Sequence, residues 1–265
     1  MSAELIARLA VIVPIGLLSG LLAGAFGIGG GIVSVPLVKH LVGVSAHVAI
    51  GTTLAVILPT SLMGAYTYLK SKKLIVSLAL ICGIPAIVGT IFGSHYSHAI
   101  EGKHLMVALA ALMMLVGLDF VSGLGNKLKA QGGAEGEEFE FKMDTKSLMT
   151  GIIIGIVVGL LSGLLGIGGG FIMVPAFCYL LRLPLKVAFG TSLVVIAVVS
   201  LPGTIVHAMH QHVDLGIAAQ MLAGSVPGAW LGSKFSLRTK DQTLRSIFGS
   251  ILIVLSIVFA WRELG

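Results

Sequence analysis

Residues 20–36 read GLLAGAFGIGGGIVSVP, and residues 159–175 read GLLSGLLGIGGGFIMVP. Eleven of the 17 aligned positions are identical, and the two stretches lie 139 residues apart. The same spacing, with no gap, aligns Gly51-Thr52-Thr53 with Gly190-Thr191-Ser192. A constant spacing over this length indicates a duplication, so the sequence predicts two homologous halves.

The composition predicts an integral membrane protein. The chain is 56% hydrophobic and only 11% charged, with a mean hydropathy of +1.05, whereas soluble domains carry about 25% charged residues. A soluble protein of 265 residues could not bury that much apolar surface. The formal charge is +6, but the basic residues lie in short gaps between apolar runs. We interpret them as orienting the chain in a membrane and expect no nucleic-acid partner.

The sequence predicts five apolar helices in each half. They lie near residues 5–25, 29–43, 46–69, 74–94 and 104–122, and again near 147–165, 168–182, 185–208, 213–233 and 243–261. The second helix of each half, with roughly 15 residues, is about 22 Å long, which is shorter than a hydrocarbon core of about 30 Å.

We therefore predict an all-α polytopic membrane protein with two inverted structural repeats. Each repeat is a glycine-turn helical hairpin plus three transmembrane helices. The first repeat covers residues 1–122 and the second covers residues 147–265, and the polar stretch 123–146 is expected to be a cytoplasmic linker.

The inversion is predicted from the Lys and Arg residues. The gap after the third helix holds Lys70, Lys72 and Lys73, whereas its counterpart at 209–212 has no fixed charge. With both termini outside and the linker inside, 13 of the 17 Lys and Arg residues lie on the inner side, as the positive-inside rule requires. Opposite orientation of equivalent loops is typical of inverted repeats. The expected location is the cytoplasmic (inner) membrane of a prokaryote.

The two GIGGG turns, 27–31 and 166–170, are the strongest functional signal. Glycine turns let backbone N–H groups approach an anion, and a following helix N-terminus adds about half a positive charge. A two-fold axis would bring the turns together, and a side chain at Gly30 or Gly169 should fill the cavity between them. Nucleotide binding is not expected, because no β-strand precedes either turn and no Lys-Ser/Thr pair follows. The predicted substrate-binding glycines are Gly29, Gly30, Gly31, Gly168, Gly169 and Gly170.

Four hydroxyl residues complete the predicted site: Thr52, Thr53, Thr191 and Ser192. Hydroxyls can donate to an oxyanion without carrying charge into the membrane. The alternative is that they bond carbonyl groups of their own helices, which is common in membrane helices. The sequence favours neither.

Residues that would support catalysis do not form a recognisable set. We find no Ser/His/Asp triad, paired carboxylates or HExxH motif, so we expect neither an enzyme nor a cofactor.

His207, His210 and His212 are spaced in a way that suggests metal ligands, but no Cys or carboxylate completes a site. We interpret them as interfacial histidines and expect no metal, with His207 as a candidate to titrate during transport.

The paired glycine turns and the repeated Gly-Thr-Thr/Ser motif resemble the TauE/SafE family of sulfite-exporter-like membrane transporters. The resemblance covers essentially the whole chain outside the linker. It implies export or uptake of sulfite, sulfoacetate or related sulfur-containing organic anions in bacteria or archaea.

Three functions are therefore considered. The leading one is a secondary transporter for a small sulfur-containing anion; the alternatives are an anion channel on the same scaffold and a membrane scaffold that partners an enzyme or sensor. The expected partners are the anionic substrate and the lipid bilayer. A coupling ion and a homo-oligomer both stay open.

Overall fold

The structure, a computed structural model, describes residues 3–97, 102–122, 144–165 and 169–264. Within these residues the chain is helical and has no β-strand. The first half forms α1 (Ala3–Phe26), α2 (Gly31–Leu37), a π-helical turn (Val38–Val42), α3 (Ala46–Lys70), α4 (Val76–Ser97) and α5 (Gly102–Ser122). The second half forms α6 (Thr145–Leu165), α7 (Gly170–Leu180), α8 (Leu185–Met209), α9 (Leu215–Arg238) and α10 (Asp241–Leu264).

The short second helix of each half is present. In the first half, α2 and the π-helical turn together span Gly31–Val42, and α7 has 11 residues. Their lengths are about 16–18 Å, well below the thickness of a hydrocarbon core. The all-helical class predicted from the sequence is confirmed.

The structure starts α6 two residues before the helix start predicted near residue 147. Thr145 and Lys146, which the sequence division assigns to the linker, form the start of α6. Asp144 caps this helix, because its carboxylate accepts a hydrogen bond of 2.8 Å from the Ser147 N–H. Hydrogen bonds from the side chain and the backbone of Ser147 lower the pKa of the Asp144 carboxyl. The rest of the linker lies outside the described residues.

Six of the described helices are long and apolar enough to cross a membrane: α1, α3, α4, α6, α8 and α10. Large apolar side chains cover their outward faces. In α4, Leu80, Ile84, Val88 and Ile91 follow one another at helical spacing and are 45–62% exposed. An exposed apolar face of this kind suits contact with lipid. The chain is a multi-pass membrane protein.

The two halves are joined by an exchange of helix partners. α1 packs along α9, and α6, the equivalent of α1, packs along α4, the equivalent of α9. Equivalent helices also pack on each other, α3 on α8 and α5 on α10. The first helix of each half therefore has its main partner in the other half.

Glycines bring these exchanged helices into backbone contact. A methyl group at Gly20 of α1 would lie 2.1 Å from the Ser225 carbonyl oxygen of α9. At Gly159 of α6, the equivalent position, it would lie 2.2 Å from the Ala86 carbonyl oxygen of α4. Small residues permit such close approach of membrane helices. The same kind of contact recurs at Gly16, Gly24 and Gly155.

The central helices α3 and α8 run antiparallel. A methyl group at Gly51, near the start of α3, would lie 2.3 Å from the His212 carbonyl oxygen, just beyond the end of α8. A methyl group at Gly190, near the start of α8, would lie 2.3 Å from the Lys73 carbonyl oxygen, just beyond the end of α3. The start of each helix therefore lies at the end of the other.

The exchanged packing predicts opposite outcomes for two glycine substitutions. Gly20→Ala must push α1 away from α9 and should destabilise the protein by about 1–3 kcal/mol. In Gly203→Ala the new methyl group would lie 3.3 Å from the Leu54 Cδ1, at the end of a flexible side chain. The substitution should also stabilise the helix by about 1 kcal/mol, because alanine has a higher helix propensity than glycine. Thermal unfolding in detergent should therefore give a lower Tm for Gly20→Ala and an unchanged or higher Tm for Gly203→Ala. Equal losses in the two variants would contradict the backbone contact.

Candidate functional site

The first glycine turn has a backbone that only glycine adopts readily. Gly27, Gly29 and Gly30 have φ values of 65°, 77° and 75°, in the left-handed region where a Cβ is unfavourable. Gly30 is the N-cap of α2, and Gly31 is its first residue. The run of glycines therefore turns the chain sharply between α1 and α2.

The second turn is described only in part. Gly169 has a φ of 64° and is the N-cap of α7, which begins at Gly170. It thus has the conformation of Gly30, the equivalent residue. Gly168, which the sequence predicts to bind substrate, lies outside the described residues.

The two glycine motifs meet inside the protein. A methyl group at Gly170 would lie 2.8 Å from the Ile28 Cα and 2.9 Å from the Gly27 carbonyl oxygen. Ile28 and the neighbouring turn residues are fully buried. The start of α7 therefore lies against the turn that precedes α2.

Backbone donors at the first turn are buried and have no partner among the described residues. The N–H groups of Gly29, Gly30, Gly31 and Ile32 donate to no acceptor within the part of the chain that the structure describes. All four residues are buried. The first N–H groups of a helix have no partner within the helix, but buried backbone donors are otherwise almost always paired. These groups can therefore receive a polar ligand.

Ser192 and Thr53, which occupy equivalent positions, differ in their hydrogen bonds. The Ser192 hydroxyl lies 2.8 Å from the Gly27 carbonyl oxygen and 2.8 Å from the Phe189 carbonyl oxygen. The Thr53 hydroxyl is buried and has no hydrogen-bond partner among the described residues. Ser192 therefore ties α8 to the first glycine turn, whereas Thr53 keeps an unused hydroxyl.

Thr52 and Thr191 have a structural role that the sequence did not predict. The Thr52 hydroxyl oxygen accepts a hydrogen bond of 3.0 Å from the Asp214 N–H, and that of Thr191 accepts one of 3.2 Å from the Ile75 N–H. Each hydroxyl therefore holds the loop that leads into α9 or α4. The sequence left open a hydrogen bond from each hydroxyl to the carbonyl group four residues earlier in its own helix. Among the described residues, the hydroxyls of Thr52 and Thr191 instead bond the loops.

Ile57 and Ile196 are central residues that motif analysis missed. They are equivalent residues on α3 and α8, and both are buried. A methyl group at Gly29 would lie 2.8 Å from the Ile196 Cγ2, and one at Gly170 would lie 2.5 Å from its Cδ1. Ile196 thus covers both glycine motifs. A comparison of the two repeats could have identified these residues. Ile57 follows Thr53 by four positions, and Ile196 follows Ser192 by four positions.

The expected effect of a side chain at Gly30 needs correction. A methyl group at Gly30 would lie 2.7 Å from the Ser19 carbonyl oxygen of α1, so it points at α1 and not at Ile196. At Gly169 it would lie 2.8 Å from Val158 on α6. A substitution at either glycine would strain the turn, and would not simply fill a space between the two motifs.

These features define a multi-pass membrane protein whose two glycine turns meet among buried, uncharged residues. The family model for the sulfite exporter TauE/SafE matches residues 12–259. The chain belongs to this family of membrane transporters.

Named relatives agree with this assignment. The chain is 30% identical over 261 residues to a "Probable membrane transporter protein" of Xylella fastidiosa (strain 9a5c), with 97% of each chain covered. It is 33% identical over 266 residues to "Probable membrane transporter protein YunE" of Bacillus subtilis (strain 168), with 94% of each covered. No solved structure matches the chain.

The unused Thr53 hydroxyl predicts a stabilising substitution. Thr53→Val keeps the shape of the side chain and removes a buried group without a partner, which should stabilise the ligand-free protein by about 1 kcal/mol or more. Thr90→Val is the matched control, because the Thr90 hydroxyl donates to the Ala86 and Gly159 carbonyl oxygens. Thermal unfolding should show a higher Tm for the first variant and a lower one for the second. A fall in Tm for Thr53→Val would show that its hydroxyl is paired.

Proposed function

We propose that the protein is a secondary transporter that moves a small sulfur-containing anion, such as sulfite, sulfoacetate or a related organosulfonate, across the cytoplasmic membrane. The anion is held at mid-membrane by the N-termini of α2 and α7. The family assignment supports transport, and the chemistry of the turns supports an anion.

The observation that carries this proposal is that the N–H groups of Gly29, Gly30, Gly31 and Ile32 have no acceptor within the described chain. They are donors only, so their natural ligand is an acceptor. The dipoles of two short helices add positive potential at the same place. An oxyanion has several acceptor oxygens and satisfies donors that come from different directions.

The site binds without a fixed charge. The described residues of the two turns and of the adjoining hydroxyl motifs include no Lys or Arg. A buried cation in a membrane costs at least about 2.5–3.5 kcal/mol and would hold an anion tightly. Dispersed N–H donors and the Thr53 hydroxyl suit a carrier, which must release its substrate on the other side.

Two further features support a carrier with inverted repeats. The antiparallel contact of the equivalent helices α3 and α8 fits a two-fold axis roughly perpendicular to them, which in a membrane would lie in the bilayer plane. Ile57 and Ile196 pack against the glycine motifs, so a passage through the centre is closed by apolar side chains. That arrangement supports alternating access better than an open channel.

The proposed topology places both termini and Gln211 outside, and Ser71 inside. Single cysteines at Ser71 and Gln211 test it, because both residues are exposed and the native Cys82 and Cys178 are buried. A membrane-impermeant maleimide should label Gln211→Cys in intact cells and Ser71→Cys only after permeabilisation. Labelling of both from the same side would refute the inversion.

Counterflow in proteoliposomes tests the transport function. Vesicles loaded with unlabelled sulfoacetate should transiently accumulate labelled sulfoacetate from outside, since a carrier exchanges substrate and a pore does not. Thr53→Val should need about fivefold more substrate for the same rate, because it loses one hydrogen bond worth about 1 kcal/mol.

Thr90→Val again serves as the matched control and should keep the wild-type substrate dependence. Absence of counterflow with sulfoacetate, sulfite, sulfate, thiosulfate and taurine in folded, reconstituted protein would overturn the proposal. Rapid flux without counterflow would identify a channel. An unchanged substrate dependence in Thr53→Val would remove this residue from the binding site.

A further inference from the structure

Four histidines form a cluster at one end of the central helix pair. The ring centroid of His212 lies 5.2 Å from that of His47, 5.8 Å from that of His207 and 5.9 Å from that of His210. His47 lies at the start of α3 and the other three at the end of α8 and just beyond it. The cluster thus joins the two central helices where the chain is near solvent.

The cluster combines exposed and half-buried imidazoles. His47 and His210 are exposed, whereas His207 and His212 are half-buried. The Nδ1 of His207 is buried and has no hydrogen-bond partner in the described part of the chain. A proton that enters from solvent can therefore be bound at the exposed rings and reach a ring nitrogen inside the protein.

The opposite end of α3 and α8 has a different composition, although the backbone is equivalent. His207 corresponds to Tyr68, whose hydroxyl donates to the Gly24 carbonyl oxygen at 3.0 Å. His212 corresponds to Lys73, and His47 corresponds to Lys186. The Lys186 Nζ lies 3.5 Å from the Asp241 Oδ1. One end therefore carries a tyrosine and two lysines, and the other carries imidazoles at the same positions.

The cluster packs against the start of α3, the helix that carries Thr53. A methyl group at Gly51 would lie 2.9 Å from the His207 Cβ, and Gly51 is two residues from Thr53. The Thr52 hydroxyl holds the Asp214 N–H in the same loop as His212. Thr53 lies within one helical turn of Gly51 along α3.

We propose that His47, His207, His210 and His212 form the proton-binding site of the transporter, and that the proton is the ion that moves together with the anion. This inference rests on the proposed function. A proton from solution binds an imidazole nitrogen, and the resulting positive charge attracts the anion toward Thr53. The exposed rings pass the proton to the buried Nδ1 of His207. After the central helices rearrange, the anion leaves, His207 loses this attraction, and its proton leaves on the same side as the anion.

Other charged or titratable residues at this end come from neighbouring segments. Asp214 lies in the loop with His212, and its carboxylate accepts a hydrogen bond of 3.0 Å from the Ile217 N–H. The π-helical turn packed on α3 contributes Lys39 and His40, and α4, packed on α8, carries His95 near its end. The rings of His47, His207 and His210 each contact that of His212.

A pH gradient provides the test. Proteoliposomes receive labelled sulfoacetate, whose carboxylate and sulfonate both stay ionised between about pH 5.5 and pH 8. An outside pH one unit below the inside pH should drive accumulation by up to about tenfold for each proton carried. His207→Gln and the exposed pair His47→Gln/His210→Gln should lose this gradient-driven accumulation, whereas some counterflow at equal pH remains.

His104→Gln is the matched control, because His104 lies on α5, which packs mainly on α10; this variant should accumulate sulfoacetate like the wild type. Wild-type counterflow without any response to the pH gradient would overturn the proton site and leave the proposed function standing. Full accumulation in both histidine variants would also overturn it. Absence of wild-type counterflow at every pH would overturn the proposed function and this inference with it.

Discussion

The backbone contact between glycines of one half and carbonyl groups of the other is the constraint on which the rest of the structure depends. At Gly20 and Gly159 there is no room for even a methyl group. Lipid is as apolar as the helix surfaces, so membrane helices associate through close packing and not through the hydrophobic effect. The exchanged pairs α1–α9 and α6–α4 therefore need these glycines, and the position of α3, α8 and both glycine turns follows from them.

This packing leaves polar backbone groups in an apolar interior. Each half begins with a long helix followed by a sharp turn and a helix too short to span the membrane. Irregular backbone at that depth is tolerated only where it is buried in protein or lines a cavity. At Gly29, Gly30 and Gly31 the N–H groups are buried and have no acceptor among the described residues, which is why the proposed anion site is placed there.

The twofold repetition makes departures from symmetry informative. The Ser192 hydroxyl bonds the first turn, whereas that of Thr53, its equivalent, has no partner among the described residues. Tyr68 donates to a backbone carbonyl group, whereas His207, its equivalent, has a buried nitrogen without a partner in the described chain. Residues that only maintain the fold can be alike in both halves. A transporter must distinguish the two sides of a membrane, and these differences provide chemical groups that can do so.

The sequence by itself determined the helical class, the duplication, the helix boundaries to within a few residues and the two glycine turns, because hydrophobic runs and repeated motifs are local properties. Only the tertiary structure decided what the individual side chains contact. Thr52 and Thr191 hold loops of the opposite half, Ile196 covers both glycine motifs, and Gly30 faces α1. Those contacts join residues far apart in the chain, and their direction depends on how the exchanged helices pack, which no local pattern records.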